Sequence, residues 1–288
     1  MIGPFLRLAR PWHWVKNVFV LVPVPFALRA GGAEPSWGLF CLGLFGFCLV
    51  NSSVYAFNDV MDAEADRRHP TKKNRPVASG AVSPAAACLF SLLLAAAGMT
   101  LIGMAPGGGG ILALPAVYIG ANILYSLGGK HFALLDVFLL SSGFVIRVLL
   151  GVFLMAVPAS QWILLCSSAL ALFLGLTKRR ADLAAGLGPE HRPSLAGYNL
   201  AFLDQAMGIM AGVSLLCYAI YSITSEVMLP GRELASMPFV AFAILNYLRI
   251  AHIEGSGGSP VEVAFTDRPS QICGLGWVLA IAWSLGFL

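Results

Sequence analysis

Three aspartates with helical spacing are the strongest candidates for metal chemistry in this 288-residue chain. Asp59, Asp62 and Asp66 are spaced i, i+3 and i+7, which would place their carboxylates on one face of a helix. Carboxylates held that close repel each other, and Mg²⁺ takes one or two carboxylates while also binding waters and substrate phosphates. The spacing therefore favours a site for Mg²⁺ and a diphosphate over the alternative, a solvated helix end.

A basic stretch follows the aspartates directly and is closed by Pro76. It contains Arg67, Arg68, Lys72, Lys73 and Arg75. Beside a metal site, such cations would neutralise phosphate oxygens that the metal does not cover. We expect Lys72 and Arg75 to bind substrate. The alternative, which is strongest for Arg67 and Arg68, is topogenic charge or contact with anionic lipid headgroups.

Other ionisable side chains lie in or beside apolar segments, where charge is costly and often functional. Asp136 and Arg147 share one apolar run but lie at different depths, so each should face a wet cavity or the bundle interior, or pair with another residue. Lys130 lies in a glycine-containing turn, where its ammonium could approach a phosphate.

Lys16 and Asn17 follow two aromatic residues near the N-terminus. Trp12 and Trp14 are typical interface anchors, and Lys16 could snorkel for the same purpose. Asn17 has no such anchoring advantage. The five histidines, His191 among them, show no metal-binding spacing, and the six cysteines form no CxxC pair.

Membrane-spanning helices must position these side chains. Hydrophobic residues make up 58% of the chain, charged residues 11%, and the mean hydropathy is +0.80, whereas soluble domains have roughly 25% charged residues. This composition excludes a soluble enzyme, a disulfide-stapled secreted domain and a nucleic-acid-binding domain. Backbone in lipid must be hydrogen-bonded internally, so long apolar runs predict helices. Nine spans are predicted, at 15–30, 37–57, 84–104, 111–127, 132–157, 161–176, 200–224, 234–252 and 270–288.

The distribution of basic residues predicts the orientation. Most of the 18 lysines and arginines fall on one side of the nine alternations: Arg7, Arg10, Lys16, Arg67, Arg68, Lys72, Lys73, Arg75, Lys130, Lys178, Arg179, Arg180, Arg192 and Arg268. Because cytoplasmic loops carry the excess of positive charge, we predict a cytoplasmic N-terminus and an outer C-terminus in the cell inner membrane. The loops 181–199 and 253–269 are hypothesised to cover a cytoplasmic site.

The stretch NDVMDAEAD, beginning at Asn58, resembles the first aspartate-rich motif of the UbiA superfamily of intramembrane prenyltransferases. The resemblance implies an all-α bundle of nine transmembrane helices around a cytoplasm-facing cavity, with 1–288 as a single transmembrane catalytic domain. It also implies that Asn58 and the aspartates bind Mg²⁺ and a diphosphate. Asp59 and Asp62 would be catalytic metal ligands and Asp66 a further one.

The connection after the sixth predicted span departs from the superfamily's pattern. It reads TKRRADL, so that Lys178, Arg179 and Arg180 stand where ordinary members carry a second aspartate-rich motif, and only Asp182 remains. This departure argues against a prenyl diphosphate donor, and a cationic cluster suits substrates with more phosphate charge. Positive-inside charge would explain one of these cations, but less readily all three.

Nearly the full length is most similar to a divergent branch of the superfamily, the decaprenyl-phosphate phosphoribosyltransferases. Besides the two motifs above, the resemblance rests on RPWHWVKN from Arg10, YSLGGKH from Tyr125, and PVEVAFTDR ending at Arg268. It implies a membrane pentosyltransferase that moves a 5-phosphoribosyl group from 5-phosphoribosyl diphosphate to a polyprenyl phosphate, with Mg²⁺, in cell-wall biogenesis.

Within that reading the remaining candidates take specific roles. Lys130 and Arg147 would be catalytic, and the expected substrate-binding residues are Lys16, Asn17, Asn58, Asp66, Lys72, Arg75, Tyr125, Lys178, Arg179 and Asp182. The alternative reaction is transfer of a prenyl group from prenyl diphosphate to an aromatic or lipid acceptor. A transporter or channel is disfavoured because the outer connections carry almost no charge. No nucleic-acid partner is expected, and a homo-oligomer is compatible with the sequence.

Overall fold

The computed structural model describes residues 2–30, 36–69, 71–105, 108–190, 192–254 and 260–288, and within these ranges every regular element is helical. His191 and the 255–259 part of the predicted covering loop lie outside them. The α-helices are α1 Ile2–Ala9, α2 Val24–Arg29, α3 Trp37–Met61, α4 Ala63–Arg67, α5 Pro84–Gly103, α6 Ala113–Leu127, α7 Leu135–Leu154, α8 Gln161–Ala184, α9 Leu200–Thr224, α10 Met237–Arg249, α11 Pro260–Thr266 and α12 Arg268–Ser284. Short 3₁₀ helices cover Pro11–Leu21, Lys72–Asn74, Gly108–Leu112, Gly129–His131 and Pro193–Gly197, and a π-helical turn covers Ile250–Glu254.

Six segments of the described chain are long and apolar enough to cross a bilayer. They are Trp37–Met61, Pro84–Gly103, Gly110–Leu127, Leu135–Leu154, Gln161–Ala184 and Leu200–Thr224. Met237–Ile253 is apolar but shorter, and α12 has 17 residues. The all-helical prediction is confirmed, whereas the count of nine spans stays a prediction.

The first predicted span, 15–30, is not one continuous α-helix. Its chain forms the 3₁₀ helix Pro11–Leu21 and then the short helix α2. Pro23 and Pro25 explain the break, because a proline ring removes a backbone N–H donor and clashes with the preceding helical turn.

The sixth predicted span, 161–176, is too short, because α8 continues to Ala184. The TKRRADL motif is therefore helical rather than part of a loop. Gly186, two residues after the end of α8, terminates the helix with a φ of 74°, which is easily reached only without a side chain. Gly186 N donates to Leu183 O over 2.9 Å and Leu187 N donates to Asp182 O over 3.1 Å, the pair of bonds that closes a helix in a Schellman motif.

The helix that carries the three aspartates is interrupted within the motif. α3 ends at Met61 and α4 begins at Ala63, with Asp62 between them at φ −93° and ψ −1°. Asp62 N still donates to Asn58 O, and Asp66 N donates to Asp62 O. The prediction of a single continuous helix is therefore wrong by one residue, but the backbone bonds that bridge the break keep the i, i+7 relation between Asp59 and Asp66.

The chain forms two compact units. The first comprises Met1–Pro23, Ala33–Leu127 and Ile146–Val157, and the second comprises Val24–Gly32, Gly128–Val145 and Pro158–Leu288. In the first unit, α3 packs along α5, and Leu8, Ala56, Val77 and Ala87 belong to a buried cluster. In the second, α8 packs along α9 around Phe173, Leu203 and Met207. A single catalytic domain over 1–288 stays a prediction.

Two glycines allow α3 and α5 to approach closely in the first unit. A Cβ atom on Gly98 would lie 2.5 Å from the carbonyl oxygen of Gly46 and 3.0 Å from the backbone nitrogen of Val50. Backbone cannot retreat as a flexible side chain can, so the helices would have to separate. Close packing here holds α3, which carries Asp59 in its last turn, against α5.

Gly98→Val should therefore destabilise the protein by about 1–3 kcal/mol, the usual cost of overpacking a core. The measurement is thermal unfolding of the purified protein in detergent. Gly120→Val is the matched control, because a Cβ on Gly120 of α6 meets no atom within 4 Å. Equal shifts in the two variants would contradict this account of the α3 and α5 contact.

Candidate active site

The first unit brings two of the three predicted aspartates together with two arginines. Asp59 is 1% exposed and Asp66 is 4% exposed. Arg75 Nη1 lies 2.6 Å from Asp66 Oδ2 and 3.7 Å from Asp59 Oδ1, so a single guanidinium bridges both carboxylates. Arg10 Nη2 forms a second ion pair with Asp59 Oδ1. We call these four residues the carboxylate–arginine cluster.

Local structure explains how the cluster is positioned. Asp59 lies in the last turn of α3, and Asp66 lies in α4. The 3₁₀ turn Lys72–Asn74 then returns the chain, and Arg75 N donates to Lys72 O over 2.9 Å. Asn58, the first residue of the motif, accepts a hydrogen bond from Ser126 Oγ at 2.7 Å, which ties the end of α3 to α6.

The cluster suits a divalent cation by its donor chemistry. Asp59 Oδ2 is buried and has no hydrogen-bond partner within the described residues, so it retains acceptor capacity. Hard carboxylate oxygens are the ligands that Mg²⁺ prefers, usually one or two of them. In the part of the chain that the structure covers, no three acidic, imidazole or thiol side chains converge as ready metal ligands. Binding by Asp59, Asp62 and Asp66 together therefore stays a prediction.

Two predicted residues, Asn17 and Arg147, meet in a buried polar network of the first unit. Arg147 is 4% exposed, and its Nε donates to Asn17 Oδ1 over 2.9 Å. Asn51 Nδ2 donates to the same oxygen over 3.1 Å, and the Tyr118 hydroxyl donates to Asn51 Oδ1 over 3.0 Å. The Arg147 guanidinium also lies 5.3 Å from the Tyr118 ring centroid, where its charge faces the π-system. The predicted inward orientation of Arg147 is confirmed.

Asp136 of the second unit is a buried carboxylate with hydrogen-bond donors at both oxygens. Arg179 Nε lies 2.7 Å from its Oδ2, Ser194 Oγ donates to the same oxygen over 2.8 Å, and the Tyr198 hydroxyl donates to Oδ1 over 2.8 Å. Asp136 and Arg179 are both 0% exposed. The structural alternative for Asp136, pairing with another residue, is thus the correct one. We call these four residues the Asp136 cluster.

The Asp136 cluster fastens the 193–199 segment. Burial raises the pKa of the Tyr198 phenol well above its usual range, so the hydroxyl stays protonated and donates to the carboxylate. That hydroxyl also accepts a hydrogen bond from Leu134 N over 2.6 Å. One end of the predicted covering loop is therefore anchored to the start of α7 and to α8.

The three consecutive cations of α8 point to three different surroundings. Successive helical residues project about 100° apart, so Lys178 is exposed while Arg179 is buried. Arg180 Nε lies 2.5 Å from Asp204 Oδ1, and its Nη1 donates to the Ala251 carbonyl over 2.7 Å. They do not form a single cationic cluster. Asp182 Oδ2 lies 3.5 Å from Arg179 Nη1, and the two terminal nitrogens of Arg179 make no hydrogen bond within the described residues.

Comparison with known proteins decides the family. The family model described as the UbiA prenyltransferase family matches residues 18–257. The chain belongs to the UbiA prenyltransferase family. As a member with six bilayer-length apolar helices among its described residues, it is an integral membrane protein.

Relatives within the UbiA family share nearly the whole length. The decaprenyl-phosphate phosphoribosyltransferase of Mycolicibacterium smegmatis is 34% identical, covering 100% of this chain and 94% of its own. The enzyme of the same name from Corynebacterium glutamicum is 32% identical over 97% of this chain and 86% of its own. A UbiA homolog from Archaeoglobus fulgidus bound to DMAPP and Mg²⁺ has the same fold, with a TM-score of 0.74 at 18% identity over 99% of this chain and 100% of that chain.

The other predicted residues of this UbiA family member lie in helices and in short turns, partly buried. Lys130 lies in the 3₁₀ turn Gly129–His131, entered through Gly128 at φ 155°, a value suited to glycine, as the turn prediction required. Tyr125 is half-buried near the end of α6, and Lys16 is half-buried in the first 3₁₀ helix. Lys72 is half-buried at the start of the Lys72–Asn74 turn.

Asp267, in the segment PVEVAFTDR on which part of the resemblance rests, has a structural role. Asp267 caps α12, since its Oδ2 accepts hydrogen bonds from Ser270 N and Asn246 Nδ2, each over 2.8 Å. Hydrogen bonds from Ser270 lower the pKa of the Asp267 carboxyl. The cap therefore keeps its charge, and it ties α12 to α10 within the second unit.

Sequence reasoning missed three residues that the structure places in these clusters. The sequence assigns Arg10 no site role beyond positive-inside charge and membership of a shared segment, although it binds Asp59 from 49 positions away. Ser194 and Tyr198 were assigned no role beyond the covering loop, yet both bind Asp136. A pointer to Arg10 existed in its place inside RPWHWVKN, but no local spacing links it to the aspartates.

Proposed function

We propose that this chain transfers a 5-phosphoribosyl group from 5-phosphoribosyl diphosphate to a polyprenyl phosphate of the decaprenyl type, releasing diphosphate. The observation that carries the proposal is the full-length similarity, at 34% and 32% identity, to two proteins named decaprenyl-phosphate phosphoribosyltransferase. The carboxylate–arginine cluster supplies what a diphosphate leaving group needs, namely buried carboxylates for a metal and guanidinium groups for phosphate oxygens.

In this proposal Asp59 and Asp62, on either side of the end of α3, would hold Mg²⁺, and Asp66 of α4 would be a further ligand. When bound, Mg²⁺ would neutralise charge that develops on the departing diphosphate. Arg75 orients the diphosphate, because its guanidinium already lies between the two carboxylates. Lys72 contributes a second cation from the adjoining turn.

The acceptor needs no general base, because a phosphate is already an anion. As diphosphate leaves, positive charge develops at the anomeric carbon of the ribose, and an oxygen of the lipid phosphate attacks from the opposite face.

We assign contacts with substrate phosphates to Lys16, Lys130, Arg147 and Lys178. We assign polar contacts with the substrates to Asn17, Asn58 and Tyr125. Arg179 and Asp182 are assigned to substrate binding as well.

The membrane arrangement in the proposal has nine spans around a cytoplasm-facing cavity, with 1–288 acting as one catalytic domain in the cell inner membrane. A cytoplasmic N-terminus and an outer C-terminus follow from the bias of lysine and arginine among the predicted connections. A water-soluble donor would then enter from the cytoplasm, while the lipid phosphate would enter from the bilayer.

The experiment that tests the proposal offers purified protein, Mg²⁺ and polyprenyl phosphate with either 5-phosphoribosyl diphosphate or geranylgeranyl diphosphate. We expect consumption of the phosphoribosyl donor only. The same donors with an aromatic acceptor serve as the control. Consumption of the prenyl diphosphate instead would favour the alternative UbiA reaction, prenyl transfer, and would contradict the proposal.

A further inference from the structure

The carboxylate–arginine cluster borders an open cavity in which the proposed function places no substrate group, although Arg75 belongs to both. The cavity has a volume of about 310 Å³ and is lined by Arg7, Arg10, His13, Thr71, Asn74 and Arg75, among others. Arg7 comes from α1, and Thr71 to Arg75 come from the segment after α4. All belong to the first unit. We call this space the arginine cavity.

The charge of the arginine cavity is one-sided. Three guanidinium groups line it, whereas no acidic residue does within the described chain. The side chains of Arg10 and Arg75 turn toward Asp59 and Asp66. Arg7 is exposed and forms no ion pair in the described part of the structure. A ligand in the cavity would therefore contact Arg7 directly, whereas Asp59 and Asp66 do not line the cavity.

The backbone at Arg10 is held in an uncommon conformation. Its φ of 50° and ψ of 58° lie in the left-handed region, which non-glycine residues seldom adopt, and the next residue is a proline. The Arg10 guanidinium also lies 5.3 Å from the Tyr55 ring centroid. Such a conformation persists only when its surroundings enforce it, and it is concentrated at functional sites. Here it presents one guanidinium to Asp59 and to the cavity.

We propose that the arginine cavity binds the phosphate monoester of the soluble donor, with Arg7 and Arg10 as the residues that recognise it. This assignment rests on the proposed function, because 5-phosphoribosyl diphosphate carries a monoester at one end and a diphosphate at the other. Guanidinium groups match phosphate oxygens in charge and in two-pronged geometry. The Thr71 hydroxyl and the Asn74 amide can add hydrogen bonds.

The size and lining of the cavity favour a phosphosugar over a lipid headgroup. Its volume is at the lower end of the range for small-molecule sites. A polyprenyl phosphate would present the same phosphate chemistry, but its tail requires an extended apolar groove, and a cavity of about 310 Å³ is too small to hold one. The monoester end of the donor therefore fits the cavity, and its diphosphate end fits Arg75 and the carboxylates.

The test measures binding of ribose 5-phosphate and of inorganic diphosphate with Mg²⁺, each by calorimetry on the purified full chain. Arg7→Gln should weaken ribose 5-phosphate binding about tenfold, as loss of one charge-assisted hydrogen bond implies, and should change diphosphate binding less than about twofold. Arg68→Gln is the matched control, because Arg68 is exposed and pairs only with Glu64 in the described chain. It should change neither affinity. Arg10→Lys, which keeps the charge near Asp59, should weaken ribose 5-phosphate binding as well.

Three outcomes would overturn the assignment. Arg7→Gln binding ribose 5-phosphate like the wild type would show that the cavity does not hold the monoester. Equal losses of ribose 5-phosphate affinity in Arg7→Gln and Arg68→Gln would show that the effect comes from general surface charge and not from the cavity. Displacement of ribose 5-phosphate by phosphatidic acid in mixed micelles, at matched phosphate concentration, would assign the cavity to a lipid headgroup.

Failure of this assignment can be told apart from failure of the proposed function. If Arg7 has no effect on binding while phosphoribosyl transfer proceeds, the cavity assignment is wrong and the proposed function stands. If ribose 5-phosphate binding depends on Arg7 while no phosphoribosyl transfer occurs, the phosphate site stands and the proposed function is wrong.

Discussion

Asp59→Asn should lower turnover by on the order of 10³-fold while leaving the protein folded in the membrane. Asparagine keeps the oxygen that accepts from Arg10 but removes the negative charge, so the proposed Mg²⁺ ligand and the partner of two guanidinium groups are weakened together. A loss of about 4 kcal/mol of leaving-group stabilisation corresponds to that factor. The measurement is the initial rate of transfer at saturating substrates, normalised to monodisperse protein.

Glu64→Gln is the matched control for Asp59→Asn. Glu64 lies on α4 between Asp62 and Asp66, but it is exposed and pairs with Arg68. Glu64→Gln changes the local net charge by the same amount as Asp59→Asn. It should leave the transfer rate within about twofold of the wild type, because exposed ion pairs contribute little. If Asp59→Asn were as active as Glu64→Gln at low Mg²⁺, the carboxylate–arginine cluster would not be the metal site.

Arg179→Met should destabilise the protein by about 3–5 kcal/mol, the cost of leaving one member of a buried ion pair without its partner. Asp136 would keep hydrogen bonds from Ser194 and Tyr198 but would lose its only cation within the described residues. Thermal unfolding in detergent gives the shift. The segment 193–199 should also be digested faster by protease, because loss of Arg179 weakens the buried cluster that holds this segment.

The double variant Asp136→Asn with Arg179→Met separates structure from chemistry. Removing both charges should recover most of the lost stability, because a buried pair often contributes little beyond neutral groups of similar volume. If transfer remains impaired in the recovered protein, Arg179 also binds substrate phosphate through its terminal nitrogens. If stability is not recovered, the Asp136 cluster is not the reason for the loss.

The sequence predicted the part of the site that depends on neighbouring positions. Asp59, Asp66 and Arg75 lie within one short stretch, so helical spacing and a tight turn suffice to bring them together. Arg10 could not be found in this way, because its contact with Asp59 depends on how the N-terminal segment packs on α3. Tyr198 and Asp136 are likewise 62 positions apart and meet only through the tertiary fold.

The sequence was less reliable wherever a helix boundary decided the orientation of side chains. As a connection between helices, TKRRADL predicts one cationic cluster. Because α8 continues through the motif, the side chains of Lys178, Arg179 and Arg180 instead point in different directions. The apolar run 15–30 likewise concealed a break, because mean hydropathy ignores the missing N–H groups of Pro23 and Pro25. Family, membrane class and helical composition did not depend on these details and were predicted correctly.

The most direct test of the central claim uses 5-phosphoribosyl diphosphate with one radiolabel in the ribose carbons and another in the diphosphate group. The purified protein is incubated with this donor, Mg²⁺ and polyprenyl phosphate, and the products are then partitioned between organic solvent and water. We predict that the ribose label moves into the organic phase while the diphosphate label stays in water as released diphosphate. Retention of both labels in water, or movement of both into the lipid, would contradict transfer of a phosphoribosyl group by this protein.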